Sequence, residues 1–401
     1  MPEVAFENLL VVALIALLAP LTLGLAPALR IPAVVLEIVS GIAIGPSGLG
    51  WVEADLPVEI LSVIGLAFLL FLAGLEIDIH RLRGPVLRVA LLGFVVSLAL
   101  AVAAGVGFQA VGWVESALLL AVALSATSLG LVVPVLKDAG QVDSDVGQTM
   151  IAASTVADFG AVVLLSLLFS AQGEVGTGGR IVLLGAFAVL VAVAGLAVVL
   201  AGRSMRLSDL LVRLQDTTAE IRVRAAVVLL IAFTVLAERF GLESILGAFI
   251  AGVVLAMVDR DSSTHPHLRT KLEAIGYGFV IPVFFVTSGL TLDLSGLFDS
   301  PSALLRVPMF LLALLAVRGL PALLYVPSMG RRAAAAAALL QATSLPFIVA
   351  ATQIGVAIEL MTSVTAAALV CAGLLSVVFF PIGALSLMRP STTTSTPTPV
   401  N

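Results

Sequence analysis

Charge is scarce in this chain. Asp, Glu, Lys and Arg make up 11% of its 401 residues, against 60% hydrophobic, and mean hydropathy is +1.20. A soluble domain carries about a quarter charged residues, so a soluble fold is excluded. The net charge of −5 says little, because the charges fall between apolar stretches. Lysine occurs at Lys137 and Lys271 alone, an arginine preference that points to a GC-rich bacterial genome. The single cysteine, Cys371, sits in an apolar run, which rules out an intramolecular disulfide or a thiolate metal cluster. No nucleophile–base set or metal-ligand cluster lies at one depth, so an enzyme is not expected, nor any cofactor beyond transported ions. No nucleic-acid partner is expected. The N-terminus lacks a basic n-region and an A-x-A site, so its first apolar run is read as a retained helix.

What the chain has is apolar stretches of membrane-spanning length, roughly 17–25 residues each. Thirteen are predicted, over about 6–26, 31–48, 58–79, 86–111, 115–137, 147–171, 179–202, 221–239, 242–258, 270–292, 302–326, 331–355 and 361–388. These are spans 1 to 13. The transmembrane domain is read as residues 1–389. The Ser/Thr/Pro-rich residues 390–401 are an expected disordered tail, and no soluble nucleotide-binding domain is read in the chain. With an outside N-terminus, sixteen basic residues fall in cytoplasmic loops. Arg180, Arg239 and Arg306 fall outside, and Arg318 falls within a span. That asymmetry predicts an outside N-terminus and a cytoplasmic C-terminus in the bacterial inner membrane.

The tetrapeptide Ala-Thr-Ser-Leu occurs at Ala126–Leu129 and Ala342–Leu345, each time in mid-span and followed by helix breakers. These are Gly130 and Pro134 after the first, and Pro346 after the second. Gly74–Asp78 and Gly289–Asp293 form a second pair at nearly the same offset, and Leu36-Glu37 and Leu242-Glu243 a looser one. The paired spans lie seven apart, an odd number, so the copies are inverted. The fold class is therefore an all-α integral membrane protein of about 13 helices, with inverted-topology repeats over about 31–171 and 242–388. Two discontinuous helices should cross at the repeated tetrapeptides, the pattern of alternating-access carriers.

Ionisable residues at membrane depth are costly and by default functional. Asp158 lies near the centre of span 6 and Arg318 in span 11. One reading is a structural Asp–Arg ion pair, and Arg318 could also snorkel. The functional reading is that Asp158, poorly hydrated, holds a proton near neutral pH and when ionised becomes a hard oxygen ligand for Na⁺ or K⁺. Thr127, Ser128, the carbonyls freed at the break and Ser154 are the further candidate oxygens, with Asp158 and Thr127 the foremost cation ligands. Ser and Thr in membrane helices also commonly bond their own helix or a neighbour. One carboxylate exchanging one proton for one cation predicts electroneutral exchange. Arginine cannot release its proton, so Arg318 is a fixed charge offsetting half-helix carbonyls or ionised Asp158. Gln341, Thr343 and Ser344 at the second tetrapeptide are expected to support the core. Glu37 is either an interfacial glutamate or reaches a funnel. Asp78 and Asp293 read as cap or loop residues, and His265 and His267 as parts of a solvated turn.

Leu36–Gly50, Phe71–Asp78, Leu246–Gly252 and Ile275–Phe285 resemble the bacterial monovalent cation:proton antiporter-2 family. The resemblance implies exchange of Na⁺ or K⁺ against H⁺ and a homodimer in the lipid bilayer. It also implies an elevator-like motion of core helices over about 86–171 and 302–388, with Asp158 as the ion-binding aspartate. Electrogenic relatives carry two adjacent aspartates in this helix, where Ala157 stands here, and a lysine where Arg318 stands. Both departures fit electroneutral exchange. The alternatives are an ion-coupled carrier of an organic anion, with Arg318 as the anion's partner, and a non-transporting membrane sensor.

Overall fold

A peptide group in the bilayer core finds no water, so its N–H and C=O must be satisfied within the protein. In the computed structural model the described residues are 6–25, 31–77, 84–169, 220–258 and 267–388, with scattered positions between 179 and 193. They are helical, with no strand among them. Most of span 7 over 179–202, the tail, Asp78 and His265 lie outside the described residues.

In chain order the helices are α1 (Glu7–Leu25), α2 (Ala33–Ile44), α3 (Leu56–Leu75), α4 (Gly84–Ala110), α5 (Ala117–Ser125), α6 (Leu129–Asp138) and α7 (Asp145–Phe169). There follow α8 (Ile221–Arg239), α9 (Ser244–Val258), α10 (His267–Ile275), α11 (Ile281–Leu290), the short α12 (Leu294–Phe298), α13 (Pro301–Gly319), α14 (Val326–Gln341), α15 (Pro346–Ala357) and α16 (Ser363–Met388). Among the described residues eight stretches are long and apolar enough to cross a membrane, and α2 and Ser244–Met257 are shorter apolar helices. One of the eight, Pro301–Ala357, holds 57 residues. At about 1.5 Å rise per residue it is far too long for one crossing. This is a multi-pass membrane protein.

Span boundaries differ from expectation where proline intervenes. Span 10 divides into α10, a π-helical turn Gly276–Val280 and α11. Pro282 has no N–H for the carbonyl of Gly278, and the Ile281 amide bonds Gly276 instead, one residue further back. Span 11 ends in a 3₁₀ turn, Leu320–Tyr325, with Pro321 in its first turn. Polar caps close the helix starts: Asp55 accepts from Val58 N, Ser116 from Leu119 N and Ser300 from Ala303 N. Asp293 caps α12 in the same way, through Gly296 N at 2.9 Å.

The helices pack as two groups. One contains α1–α3 and α8–α11. Here α2 lies on α11 and α3 on α9, through the glycine pairs Gly41/Gly289 and Gly74/Gly252. A Cβ at any of the four would run into the carbonyl of the facing helix, so these backbones are in direct contact. The other group contains α4–α7 and α13–α16, with α4 and α5 on α13, α7 on α14 and α15 on α5.

Candidate functional site

Spans 5 and 12 are each broken in the middle. After α5 the chain runs extended through Ala126 (φ −76°, ψ 154°) to Ser128 (φ −99°, ψ 104°) before α6 begins. Pro134 inside α6 supplies no donor for the Gly130 carbonyl, which weakens its first turn. After α14 the chain breaks at Ala342–Leu345, and Pro346 opens α15 at a position where a proline loses no hydrogen bond. The breaks cross and satisfy each other. Ser128 N donates to the Thr343 carbonyl at 3.2 Å, and the Thr127 hydroxyl donates to the Gln341 carbonyl at 2.6 Å. Ser376 meets the second break, its hydroxyl accepting from Ser344 N at 3.3 Å while its own hydrogen goes to the Gly373 carbonyl at 2.7 Å.

Asp158, on α7, stands at the N-terminus of α6. Its Oδ2 accepts from Leu129 N at 3.1 Å, so a carboxylate faces the positive end of a half-helix. Arg318 does not pair with Asp158. Its Nε donates to the Thr127 hydroxyl at 2.7 Å and its Nη1 to Ser97 at 2.9 Å, while Nη2 is buried without a partner. The ion-pair reading therefore gives way to a different role. Arg318 pins Thr127, and through it the crossing, to α4. The Thr127 hydroxyl is thus engaged twice, as donor to Gln341 and as acceptor from Arg318.

A cavity of about 290 Å³ opens between the two helix groups. Asp158, Thr127, Ser128 and Gly130 line it from one side, with Pro346 and Phe347 at the start of α15. Glu37, Glu76 and Tyr277 face it from the other, amid Leu69, Phe249 and Phe285. Among the described lining residues there is no Lys, Arg or His. Arg269 approaches Glu76 at 3.9 Å and bonds Glu273 at 2.7 Å.

Of the residues singled out from sequence, Asp158, Thr127 and Ser128 come together at this cavity. Arg318, Ser154, Gln341, Thr343 and Ser344 do not line it. Ser154 is fully buried and its hydroxyl has no partner. Gln341 is buried with its amide toward the Met150 sulfur at 3.7 Å. Thr343 bonds the Leu339 carbonyl at 3.1 Å, and the Ser344 hydroxyl is buried without a partner. These four shape the crossing from behind. Glu37 proves to be buried and cavity-facing rather than interfacial. Sequence reasoning passed over Glu76 and Ser97. Glu76 was visible in the Gly-Leu-Glu-Ile-Asp motif, but Ser97 is one hydroxyl in a long apolar helix and sends no signal.

A second cavity, about 420 Å³, lies between the same groups at the other end of α3. It touches α3 at Glu59, Ser62 and Val63, whereas the first touches Leu69, Leu70, Ala73 and Glu76. The six residues from Val63 to Leu69 correspond to about 9 Å of helix. Across this second cavity Gln353 of α15 donates to Ser288 of α11 at 2.9 Å, bridging the two groups.

Broken helices crossing at membrane depth beside a carboxylate, with cavities at either end, define a transporter-type membrane fold. The profile of the family described as sodium/hydrogen exchanger, transmembrane, matches residues 13–387, and the chain belongs to that family. A putative Na⁺/H⁺ antiporter of Bacillus subtilis, YjbQ, is 32% identical over 397 residues, covering 95% of this chain and 63% of the relative. The chain thus spans less than two thirds of that relative's length. The Na⁺/H⁺-K⁺ antiporter GerN of Bacillus cereus is 29% identical over 296 residues, covering 73% of each. Among solved structures, the sodium proton antiporter MjNhaP1 from Methanocaldococcus jannaschii superposes with a TM-score of 0.65 at 19% identity, over 96% of this chain and 98% of that one. At that identity the likeness concerns the fold.

Proposed function

We propose that the chain is a secondary antiporter exchanging a monovalent cation, Na⁺ or K⁺, for H⁺, with Asp158 as the group that both compete for. The observation carrying this reading is the cavity where Asp158, Ser128 and the start of α6 converge, lined by carboxylates and free of basic side chains among its described residues. An organic anion would meet three carboxylates there and no cation, so the anion-carrier reading loses its support. Family membership, and relatives named as Na⁺/H⁺ and Na⁺/H⁺-K⁺ antiporters, support the cation reading.

The chemistry follows from mass action. Protonated Asp158 is neutral and cannot hold a cation. Ionised Asp158, held by Leu129 N and backed by the Ser128 hydroxyl and freed backbone oxygens, supplies the hard oxygens an alkali ion needs in place of water. Because the Thr127 hydroxyl is already engaged twice, Thr127 acts as a ligand through its remaining lone pair or its carbonyl. Ser154 joins only if its unpartnered hydroxyl turns toward Asp158.

The reading extends to thirteen spans, inverted repeats over about 31–171 and 242–388, and an elevator-like shift of α4–α7 and α13–α16 against the rest. The grouping of the helices and the cavities at both ends of α3 support such a shift. A single core aspartate, with Arg318 as a fixed charge, supports electroneutral one-for-one exchange. A homodimer in the bacterial inner membrane, N-terminus outside and C-terminus inside, completes the proposal on the strength of the family resemblance and the loop charges.

The test uses proteoliposomes containing a pH dye, with the voltage clamped at zero, comparing the protein with Asp158→Asn. Pulses of Na⁺, K⁺ or Li⁺ should drive proton movement that vanishes in the variant. No response of the intact protein to any cation would overturn the reading in favour of a sensor. Transport currents that reverse sign with voltage would overturn the stoichiometry alone.

A further inference from the structure

The exchange reading uses one carboxylate, yet the cavity presents another that nothing neutralises. Glu37 sits mid-helix in α2, is 5% exposed and lines the cavity of Asp158. Among the described residues its carboxyl finds no hydrogen-bond or ion-pair partner. A carboxylate ionised and unpaired in such a setting does not persist, because desolvation outweighs anything left to stabilise it. Two states remain open to it: the neutral acid, or the anion with a cation beside it in the cavity.

Its surroundings offer nothing else. Of the helices packed on α2, α11 carries no titratable side chain and α1 carries Glu7, exposed in its first turn. The titratable groups facing the same cavity are Asp158, Glu76 and Tyr277, and Arg269 lies against Glu76. The walls between them are apolar, so the field of an ionised Glu37 is weakly screened.

The position of Glu37 fixes what it can do. It belongs to the helix group that does not carry Asp158, locked to α11 where Gly41 meets Gly289. On the exchange reading, on which this inference rests, Asp158 crosses with its helices and Glu37 stays behind. A proton on Glu37 is therefore never carried across and cannot enter the stoichiometry. What Glu37 controls is the supply of cation to Asp158. We propose that Glu37 is a stationary second site for the alkali cation, a waiting position in the cavity that fills when Glu37 is ionised and empties when it is protonated. Cation uptake from the cavity side then depends on pH through two carboxylates, only one of which exchanges its proton across the membrane.

Two measurements test this. In proteoliposomes, the KM for Na⁺ and K⁺ on the cavity side is determined between pH 6 and 8.5 for the intact protein, Glu37→Gln and Glu37→Asp. Glu37→Gln should raise KM about three- to tenfold at the alkaline end, through lost local cation enrichment, with the gap closing as pH falls. Glu37→Asp should recover most of the loss, and the H⁺-to-cation ratio should not move. The second measurement is Na⁺-dependent thermal stabilisation in detergent, which needs no transport. Asp158→Asn should keep a residual, pH-dependent stabilisation by Na⁺ that Glu37→Gln/Asp158→Asn loses. A KM within twofold of the intact protein at every pH, or identical stabilisation of the single and double variants, overturns the proposal. So does a changed H⁺-to-cation ratio in Glu37→Gln. If the intact protein stabilises with Na⁺ through Glu37 but moves no protons, the exchange reading falls and the cation site stands.

Discussion

Replacing Arg318 by lysine separates two roles that arginine combines. Arg318→Lys keeps a positive charge at the same depth but removes the planar fork. The guanidinium reaches Thr127 on one side and Ser97 on the other, at 2.7 and 2.9 Å. A single ammonium on a flexible stem satisfies one of these at a time. Charge-assisted hydrogen bonds in proteins contribute about 1.5–3 kcal/mol each, whereas hydrogen bonds between membrane helices average nearer 0.6 kcal/mol. Loss of one of the two should therefore cost about 1–3 kcal/mol, a factor of about 5–150 if it falls wholly on the site geometry. The Thr127 hydroxyl also donates to the Gln341 carbonyl, so a loosened Arg318 loosens the crossing of both breaks. Arg318→Lys should show a lower melting temperature in detergent and a KM for the transported cation raised at least fivefold by this estimate. Cation-driven dye dequenching in proteoliposomes measures the second. A wild-type KM and melting temperature in Arg318→Lys would refute the argument, because charge alone would then suffice. Thr127 provides the cross-check: Thr127→Ser should behave nearly as the intact protein, and Thr127→Val should resemble Arg318→Lys.

Three further outcomes follow from the packing. Gly252→Ala places a Cβ against the Phe71 carbonyl and should lower stability by about 1–3 kcal/mol, the usual cost of overpacking, measured as a melting shift. Gly107→Ala in α4 meets nothing within reach and should be neutral or gain up to about 1 kcal/mol from helix propensity; a similar loss in both would refute the backbone-contact argument. Gln353→Leu removes the bond to Ser288 that spans the second cavity. In a Cys371→Ser background, a cysteine at position 352 should then react faster with a membrane-impermeant thiol reagent from the side of that cavity, and an unchanged rate would show that the bond holds nothing shut.

The breaks were legible because their causes are local. Pro346 cannot continue a helix, and Gly130 with Pro134 weakens the start of one; neither depends on a neighbour. The place of Asp158 beside the break was legible because a mid-span carboxylate must meet a polar partner, and the freed amides at the start of α6 offer one. The hydrogen-bonding of Arg318 was not, since whether it meets a carboxylate or two hydroxyls depends on how α13 rotates against α4. Glu37 was ambiguous for the same reason: position along α2 gives its depth, and only the contact of α2 with α11 gives its direction. Ser154 shows the converse. It lies one turn from Asp158, yet one turn of helix and a shared face are not a shared cavity.

The glycine pairs also bear on how such a molecule wears its mutations. Where Gly41 meets Gly289 and Gly74 meets Gly252, the spacing between helices is set by covalent backbone atoms rather than by rotamers. Such a joint has no slack to give up and no spare volume in which a new atom could hide. The boundary between the two helix groups is made the other way, from long side chains and cavities such as those beside Leu69, Phe285 and Val349. There a substitution can be absorbed by a neighbour turning aside. The molecule thus combines one joint of fixed dimensions with one compliant boundary. Away from the carboxylates and the helix crossing, variation should therefore accumulate along the compliant boundary and be purged from the fixed joint.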